Sequence, residues 1–427
     1  MRTKMIHRCL GIALTAAIAL AGPASAQTAP ATASAPPPAA KAEDPGLAPS
    51  PVSPALQKLR WEMLNAPMNN LTFRNMDTLF TTRTVAHAGT PWALPRSDKP
   101  LDFTYSYDGA TYTPEQFLDR TYTNALLVMK DGKIVSEIYR NNSNERTRFM
   151  GWSMTKSITS ILIGCALAEG RIKSLDEDIT AYLPELKGTA YDGVTIRQIL
   201  EMRTGIDYQE RYDITSPDFQ PGMPRAALID YRHRFIDQAI GSKRHAEPGS
   251  KFEYNSLNTQ VLGRLLQRVS GGSTLSAYMT QRLWEPLGAE ADGFFVMDGP
   301  SDVGHEFNGA GFNATLRDFG RIGLLMLNNG KANGHQIISP EWIRESTQSR
   351  HPDTSERGLG NLGYAYQWWT LPGTQAYSAI GLQGQYIFVD PPSRTVVVKL
   401  SYFPPADQAP ARETLEFLKA AAAWQPR

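Results

Sequence analysis

Residues 149–170 read FMGWSMTKSITSILIGCALAEG, and the organisation of the chain follows from them. Ile158, Ile161, Leu162 and Cys165 recur at i, i+3, i+4 and i+7, a spacing that predicts one apolar face of a helix. Gly170, just past the last apolar residues, is a stop signal. With the helix starting near Ser153, that hydroxyl lies at its N-terminal end and the Lys156 amine sits on the same face, one turn on. A buried amine gives up its proton more readily than a solvated one, so Lys156 can act as base towards a serine nucleophile. Lys156 is the only lysine in the chain with a serine three residues before it. Ser-x-x-Lys alone also fits an ordinary buried helix with a surface lysine at its start. The remaining sequence has to separate the two.

Composition narrows the classes. The 427 residues are 41% apolar and 20% charged, values of a soluble globular protein with ample material for a core. Residues 1–26 read as an export signal: Arg2, Lys4 and Arg8 form a basic start, Leu10 to Ala21 an apolar core, and Ala24-Ser25-Ala26 a cleavage site. Cleavage there removes three basic residues and no acid, turning the formal charge from +1 to −2. Neither value, with no Lys/Arg-rich run, suggests a nucleic-acid partner. The apolar core is too short to span a bilayer comfortably, so no stable membrane anchor is expected. Cys9 would leave with the signal, and Cys165 alone cannot form an internal disulfide.

From Gln27 to about Ala55 the chain is rich in Ala, Pro, Thr and Ser and reads as a tether, with a globular part from residue 56 onwards. Thr123 to Tyr139, TNALLVMKDGKIVSEIY, predicts a hairpin turning at Lys130-Asp131-Gly132. Helix signals then dominate: Ile196 to Met202 capped by Thr195, Ser256 to Val269, Thr274 to Trp284, Thr315 to Leu327, and one opened by Pro340. Strands return at Gln385 to Val389 and Thr395 to Leu400, and Ala411 to Ala423 predicts a last helix. The expected architecture is α+β, of the α/β-sandwich type. An antiparallel sheet, from about residues 56–150 and 362–427, pairs the early and late hairpins, with flanking helices and an inserted, mostly helical region at about 151–361.

Two more stretches carry chemistry. Tyr254 and Asn255, in KFEYNSLNTQVLG, stand immediately before a helix. A phenol normally ionises near pH 10, and a neighbouring cation lowers that value. Beside Lys156 and Ser153, Tyr254 can relay the serine proton to the leaving group; standing alone, it reads as a core tyrosine. In AIGLQGQYIFVDP, Gly381 and Gly384 permit close approach of backbone to a ligand. A backbone N–H there can pair with the Ser153 N–H as an oxyanion hole, although a plain strand entry reads the same way.

The order Ser-x-x-Lys, then Tyr-Asn-Ser opening a helix, then Gly-x-x-Gly-Gln resembles the serine β-lactamase/penicillin-binding superfamily. Within it the chain is similar to class C β-lactamase-related esterases and amidases, and more closely to 6-aminohexanoate-dimer (nylon oligomer) hydrolases. The resemblance covers about residues 124–401, including GWSMTKSITSILIG, IRQILEMRTGIDYQERY and TLRDFGRIGLLMLNNG. It implies a β-lactamase/transpeptidase-like fold and no cofactor or metal. It makes Ser153 the acylated nucleophile, Lys156 and Tyr254 its proton-transfer partners, and the Leu382 N–H the second oxyanion donor. It also points to Tyr212, in Gln209-Glu210-Arg211-Tyr212, as a donor to the leaving nitrogen of an amide. Asn255, Gly381, Gln383 and Trp368 are further substrate-binding candidates.

The chain departs from the family pattern twice. The usual Tyr-x-Asn is Tyr254-Asn255-Ser256, and no Lys, Arg or His lies between Arg357 and Arg394, where β-lactamases and penicillin-binding proteins carry a cationic third motif. The β-lactam and cell-wall-peptide readings are demoted accordingly. A Ser-His-Asp hydrolase lacks its G-x-S-x-G, no H-E-x-x-H occurs, and no G-x-G-x-x-G follows a strand. A non-catalytic penicillin-recognising protein is opposed by the presence of all three catalytic candidates. The expectation is an exported, periplasmic or extracellular serine hydrolase of small esters or linear amides. Its pocket would be shaped by the loops Asp207 to Arg225 and Asp298 to Asn313.

Overall fold

Asp131 (φ +49°) and Gly132 (φ +77°) both take left-handed backbone between β1 (Thr123–Lys130) and β2 (Lys133–Tyr139), the tight hairpin turn that Asp-Gly favours. All eight residues of β1 are buried. Its side chains alternate between two cores: Ala125, Leu127 and Met129 face one, Leu126 and Val128 the other. An unbroken apolar run is what a strand covered on both faces requires.

The computed structural model of the protein describes residues 49–208, 210, 225–348, 362–405 and 407–426, all within the unit Pro45–Arg427. Its main sheet adds β3 (Gly363–Tyr364), β4 (Trp369–Thr370), β5 (Tyr377–Gly381), β6 (Gln385–Asp390) and β7 (Thr395–Ser401). The seven strands run β3-β4-β5-β6-β7-β1-β2, each pair antiparallel. The late hairpin therefore joins the early one through β7 and β1, Val397 opposite Val128.

One face of the sheet carries α1 (Met154–Ala168) and, behind it, α2 (Ser256–Val269), with α3 (Leu316–Leu327) lying across β1, β6 and β7. Helix α3 seats closely because a Cβ on Gly320 would lie 2.5 Å from Leu127 Cδ2, and one on Gly323 2.4 Å from Val396 Cγ1. The opposite face is covered by α4 (Ala409–Ala423), whose Phe417 stacks on Phe117 with ring centroids 3.7 Å apart. No helix among the described residues is long and apolar enough to cross a membrane.

Three details depart from the sequence reading. Packing begins before residue 56: Val52 is buried, and Ser53 caps a helix, Pro54–Glu62, that opens on proline. The mostly helical region also supplies two strands, Gly293–Val296 and Phe312–Ala314, to a separate four-stranded sheet with Thr82–Val85 and Phe149–Met150. Helix α1 is buried all round from Met154 to Ala166, not only on its apolar stripe. A helix enclosed by other elements on every side has no polar face to display.

Candidate active site

The nucleophile candidate is presented by a sharp turn. Gly151 N–H donates to Phe312 O (2.8 Å), holding the end of the Phe149–Met150 strand. Trp152 then takes φ +47°, an uncommon backbone for a bulky residue. Its buried ring is held edge-on by Phe73 at 5.2 Å, the kind of surrounding contact that sustains local strain. Ser153 follows in the N-cap position of α1, where serine normally caps, yet its side chain makes no capping bond. Its hydroxyl meets Lys156 instead.

Lys156, 1% exposed, lies with Nζ 2.9 Å from Ser153 Oγ, 2.8 Å from Ser256 Oγ and 2.7 Å from Gly309 O. Three oxygens satisfy the three N–H of an ammonium, which a buried lysine needs to stay charged. The Tyr254 ring is also against it, its centroid 4.9 Å from Nζ. Tyr254 is 8% exposed and held by Trp369, nearly parallel at 5.5 Å, and by Tyr364, edge-on at 6.0 Å. Chain positions a hundred residues apart thus converge because α1 and α2 pack side by side.

The residues after Tyr254 divide their roles. Asn255 Oδ1 accepts from Leu257 N–H (2.8 Å) and Asn258 N–H (3.3 Å), so its side chain caps α2 and does not line the substrate cavity. Ser256 faces inward to Lys156 and also donates to Glu210: Oγ lies 2.8 Å from Glu210 Oε1, and N–H 2.6 Å from Oε2.

The opposite wall is the end of β5. A Cβ on Gly381 would lie 2.3 Å from Gly151 O, so only glycine lets this strand run against the turn that carries Ser153. Leu382 and Ser153 consequently border one cavity of about 340 Å³ with apolar walls that include Leu64, Trp369, Ile380 and Phe403. Gln383 lines the cavity, but its side chain turns away, donating to Leu64 O (3.0 Å) and accepting from Asn69 Nδ2 (2.9 Å). We expect Gly381→Ala to cost about 1–3 kcal/mol of stability and to lower ester turnover tenfold or more, because the strand must back away from the nucleophile. Thermal unfolding together with kcat checks both; unchanged values would show that the close approach is dispensable.

One further sequence candidate falls elsewhere. Trp368 is fully buried in the core, and its neighbour Trp369 borders the cavity. Successive residues of an extended segment point to opposite sides, so only one of the pair can reach the site. Tyr212 lies outside the described residues. Sequence reasoning missed Glu210, the Gly309 carbonyl and the segment Phe403–Pro405 that closes one side of the cavity. Glu210 stood in the quoted Gln-Glu-Arg-Tyr stretch without a role, because nothing local ties it to Ser256, 46 positions on. Among the described residues bordering the cavity there is no Lys, Arg or His, while Glu210 and Asp407 are acidic.

Comparisons with known proteins give the family. The Beta-lactamase family model matches residues 114–421, and the chain belongs to that family; it is a serine hydrolase. Within the family it is similar to the 6-aminohexanoate-dimer hydrolase of Paenarthrobacter ureafaciens, 31% identical over 360 residues, 80% of this chain and 87% of the relative. A solved structure named "Putative 6-aminohexanoate-dimer hydrolase from Bacillus anthracis" superposes with a TM-score of 0.74 at 25% identity, covering 84% of this chain and 95% of that one. A family VIII carboxylesterase shares the fold, with a TM-score of 0.58 at 18% identity over 72% of this chain and 94% of its own.

Proposed function

We propose that the protein cleaves small esters and linear amides through an acyl-enzyme on Ser153. The observation that carries this reading is a serine hydroxyl 2.9 Å from a buried lysine amine, beside an apolar-walled cavity with no basic residue among its described lining. Lys156 accepts the Ser153 proton as Oγ bonds to the substrate carbonyl carbon. The N–H groups of Ser153 and Leu382 stabilise the oxyanion that forms. As the carbon–oxygen or carbon–nitrogen bond breaks, the proton passes by way of Tyr254 to the leaving alcohol or amine. Water then attacks the acyl ester, releases the acid and restores Ser153.

The relative named above acts on the 6-aminohexanoate dimer. The amine-bearing acyl half of a linear amide of that kind suits the cavity, whose charged lining residues Glu210 and Asp407 are acidic. Amide cleavage needs help at the leaving nitrogen, a role we assign to Tyr212. We place the enzyme outside the cytoplasm on the strength of its signal-like first 26 residues.

A kinetic panel of short p-nitrophenyl esters, 6-aminohexanoate dimer, D-Ala-D-Ala peptides and nitrocefin tests the substrate class. The expected order has esters ahead of nitrocefin by roughly tenfold or more in kcat/KM, since one missing ion pair to the substrate carboxylate is worth about that much. Rapid nitrocefin turnover at low KM would shift the assignment to a β-lactamase.

A further inference from the structure

The Ser153–Lys156 contact has a directional requirement. As an ammonium, Lys156 donates to all three surrounding oxygens. To act as a base it must be neutral, with two N–H and one lone pair, and the lone pair must face Ser153. Gly309 O is an acceptor only and takes one N–H from 2.7 Å. Ser256 Oγ, at 2.8 Å, is ambiguous, because a hydroxyl both donates and accepts. Were Ser256 to donate to Lys156, it would occupy the lone pair and leave Ser153 without a base.

We propose that Glu210 is a positioning residue that removes this ambiguity, fixing the Ser256 proton so that the Lys156 lone pair is directed at Ser153. A carboxylate accepts and does not donate. Glu210 Oε1 takes the Ser256 hydroxyl proton at 2.8 Å, and Oε2 takes the Ser256 N–H at 2.6 Å, so both its oxygens are set by one residue. Ser256 Oγ is then left only its acceptor side for Lys156, which must spend its second N–H there. The polarity runs one way: Lys156 to Ser256 to Glu210. This account rests on the acyl-enzyme reading of Ser153 and adds to it a residue that acts through Ser256. It also gives a reason for serine at the third position of Tyr254-Asn255-Ser256, where the hydroxyl serves as a switchable link set by an acid from another loop.

Glu210→Gln tests the proposal because it keeps the shape and reverses the polarity. With its carbonyl accepting from Ser256 N–H, the glutamine amide donates to Ser256 Oγ, whose proton then turns towards Lys156. Fluorophosphonate labelling of Ser153 and single-turnover cleavage of a p-nitrophenyl ester should both slow by roughly thirtyfold or more, with KM within about threefold and an unchanged melting temperature. Ser256→Ala should slow acylation by about tenfold, because one lysine N–H loses its acceptor. In the Ser256→Ala background, Glu210→Gln should cost nothing further, since the hydroxyl it would reverse is gone. Wild-type acylation in Glu210→Gln, losses that multiply in the double variant, or full activity in Ser256→Ala would each overturn the proposal. The last comparison stands even if Glu210→Gln fails to fold. Absence of labelling on Ser153 in the unaltered enzyme would instead remove the acyl-enzyme reading on which the proposal rests.

Discussion

Replacing Ser153 with alanine is expected to lower ester turnover by roughly three or more orders of magnitude, with little change in stability. The size of the effect follows from what is removed: the hydroxyl that borders the cavity beside Lys156 and, on the proposed mechanism, bonds to the substrate carbonyl. The modest effect on folding follows from the geometry. Ser153 makes no capping bond, so α1 loses no backbone partner, and Lys156 keeps Ser256 Oγ and Gly309 O. The cost is that of one hydrogen bond to Lys156, about 0.5–1.5 kcal/mol. Circular dichroism and thermal unfolding should match the parent while turnover and fluorophosphonate labelling disappear. Near-normal turnover in a preparation free of other hydrolases would dismiss Ser153 as nucleophile.

Lys156 and Tyr254 should fail together. Lys156 Nζ lies over the Tyr254 ring, 4.9 Å from its centroid, in a site where both side chains are almost wholly buried. On the proposed mechanism a proton leaving Ser153 passes through this pair, so removing either member breaks the same route. Lys156→Met and Tyr254→Phe are each expected to slow acylation by about 10²–10⁴-fold, the range for a positioned acid or base. The double variant should then lose far less than the product of the two, as groups acting as one unit do. Lys156→Met should also unfold more easily, since Ser256 Oγ and Gly309 O lose a buried donor. Tyr254→Phe keeps its packing against Trp369 and Tyr364 and should not. Strictly multiplicative losses in the cycle would mean that the two residues do not share one proton path.

The elements that sequence alone determined are those whose causes are local. Helix α2 starts and ends at Ser256 and Val269 because Asn255 caps it and its apolar residues keep helical spacing. The β1–β2 hairpin turns at Asp131-Gly132 because both positions need left-handed backbone. Ser153 and Lys156 belong to the same category: three positions on one helix face put them within reach of each other before any tertiary contact forms. Strands such as Gly363–Tyr364, Trp369–Thr370 and Phe149–Met150 were illegible. Two residues carry no period, and their pairing is set by partners far along the chain.

Tertiary structure alone decided how the site is completed. Asn255 and Ser256 are adjacent polar residues, yet one caps a helix and the other contacts the base, because the helix start points them in different directions. Trp368 enters the core and Trp369 the cavity because extended backbone alternates its faces. Gly381 needs to be glycine only because β5 ends against Gly151 O. Glu210, Ser256 and Gly309 meet around Lys156 from separate parts of the chain. A helix can place a serine beside a lysine, but the direction of the hydrogen bonds around that lysine depends on acceptors that only the folded chain brings together.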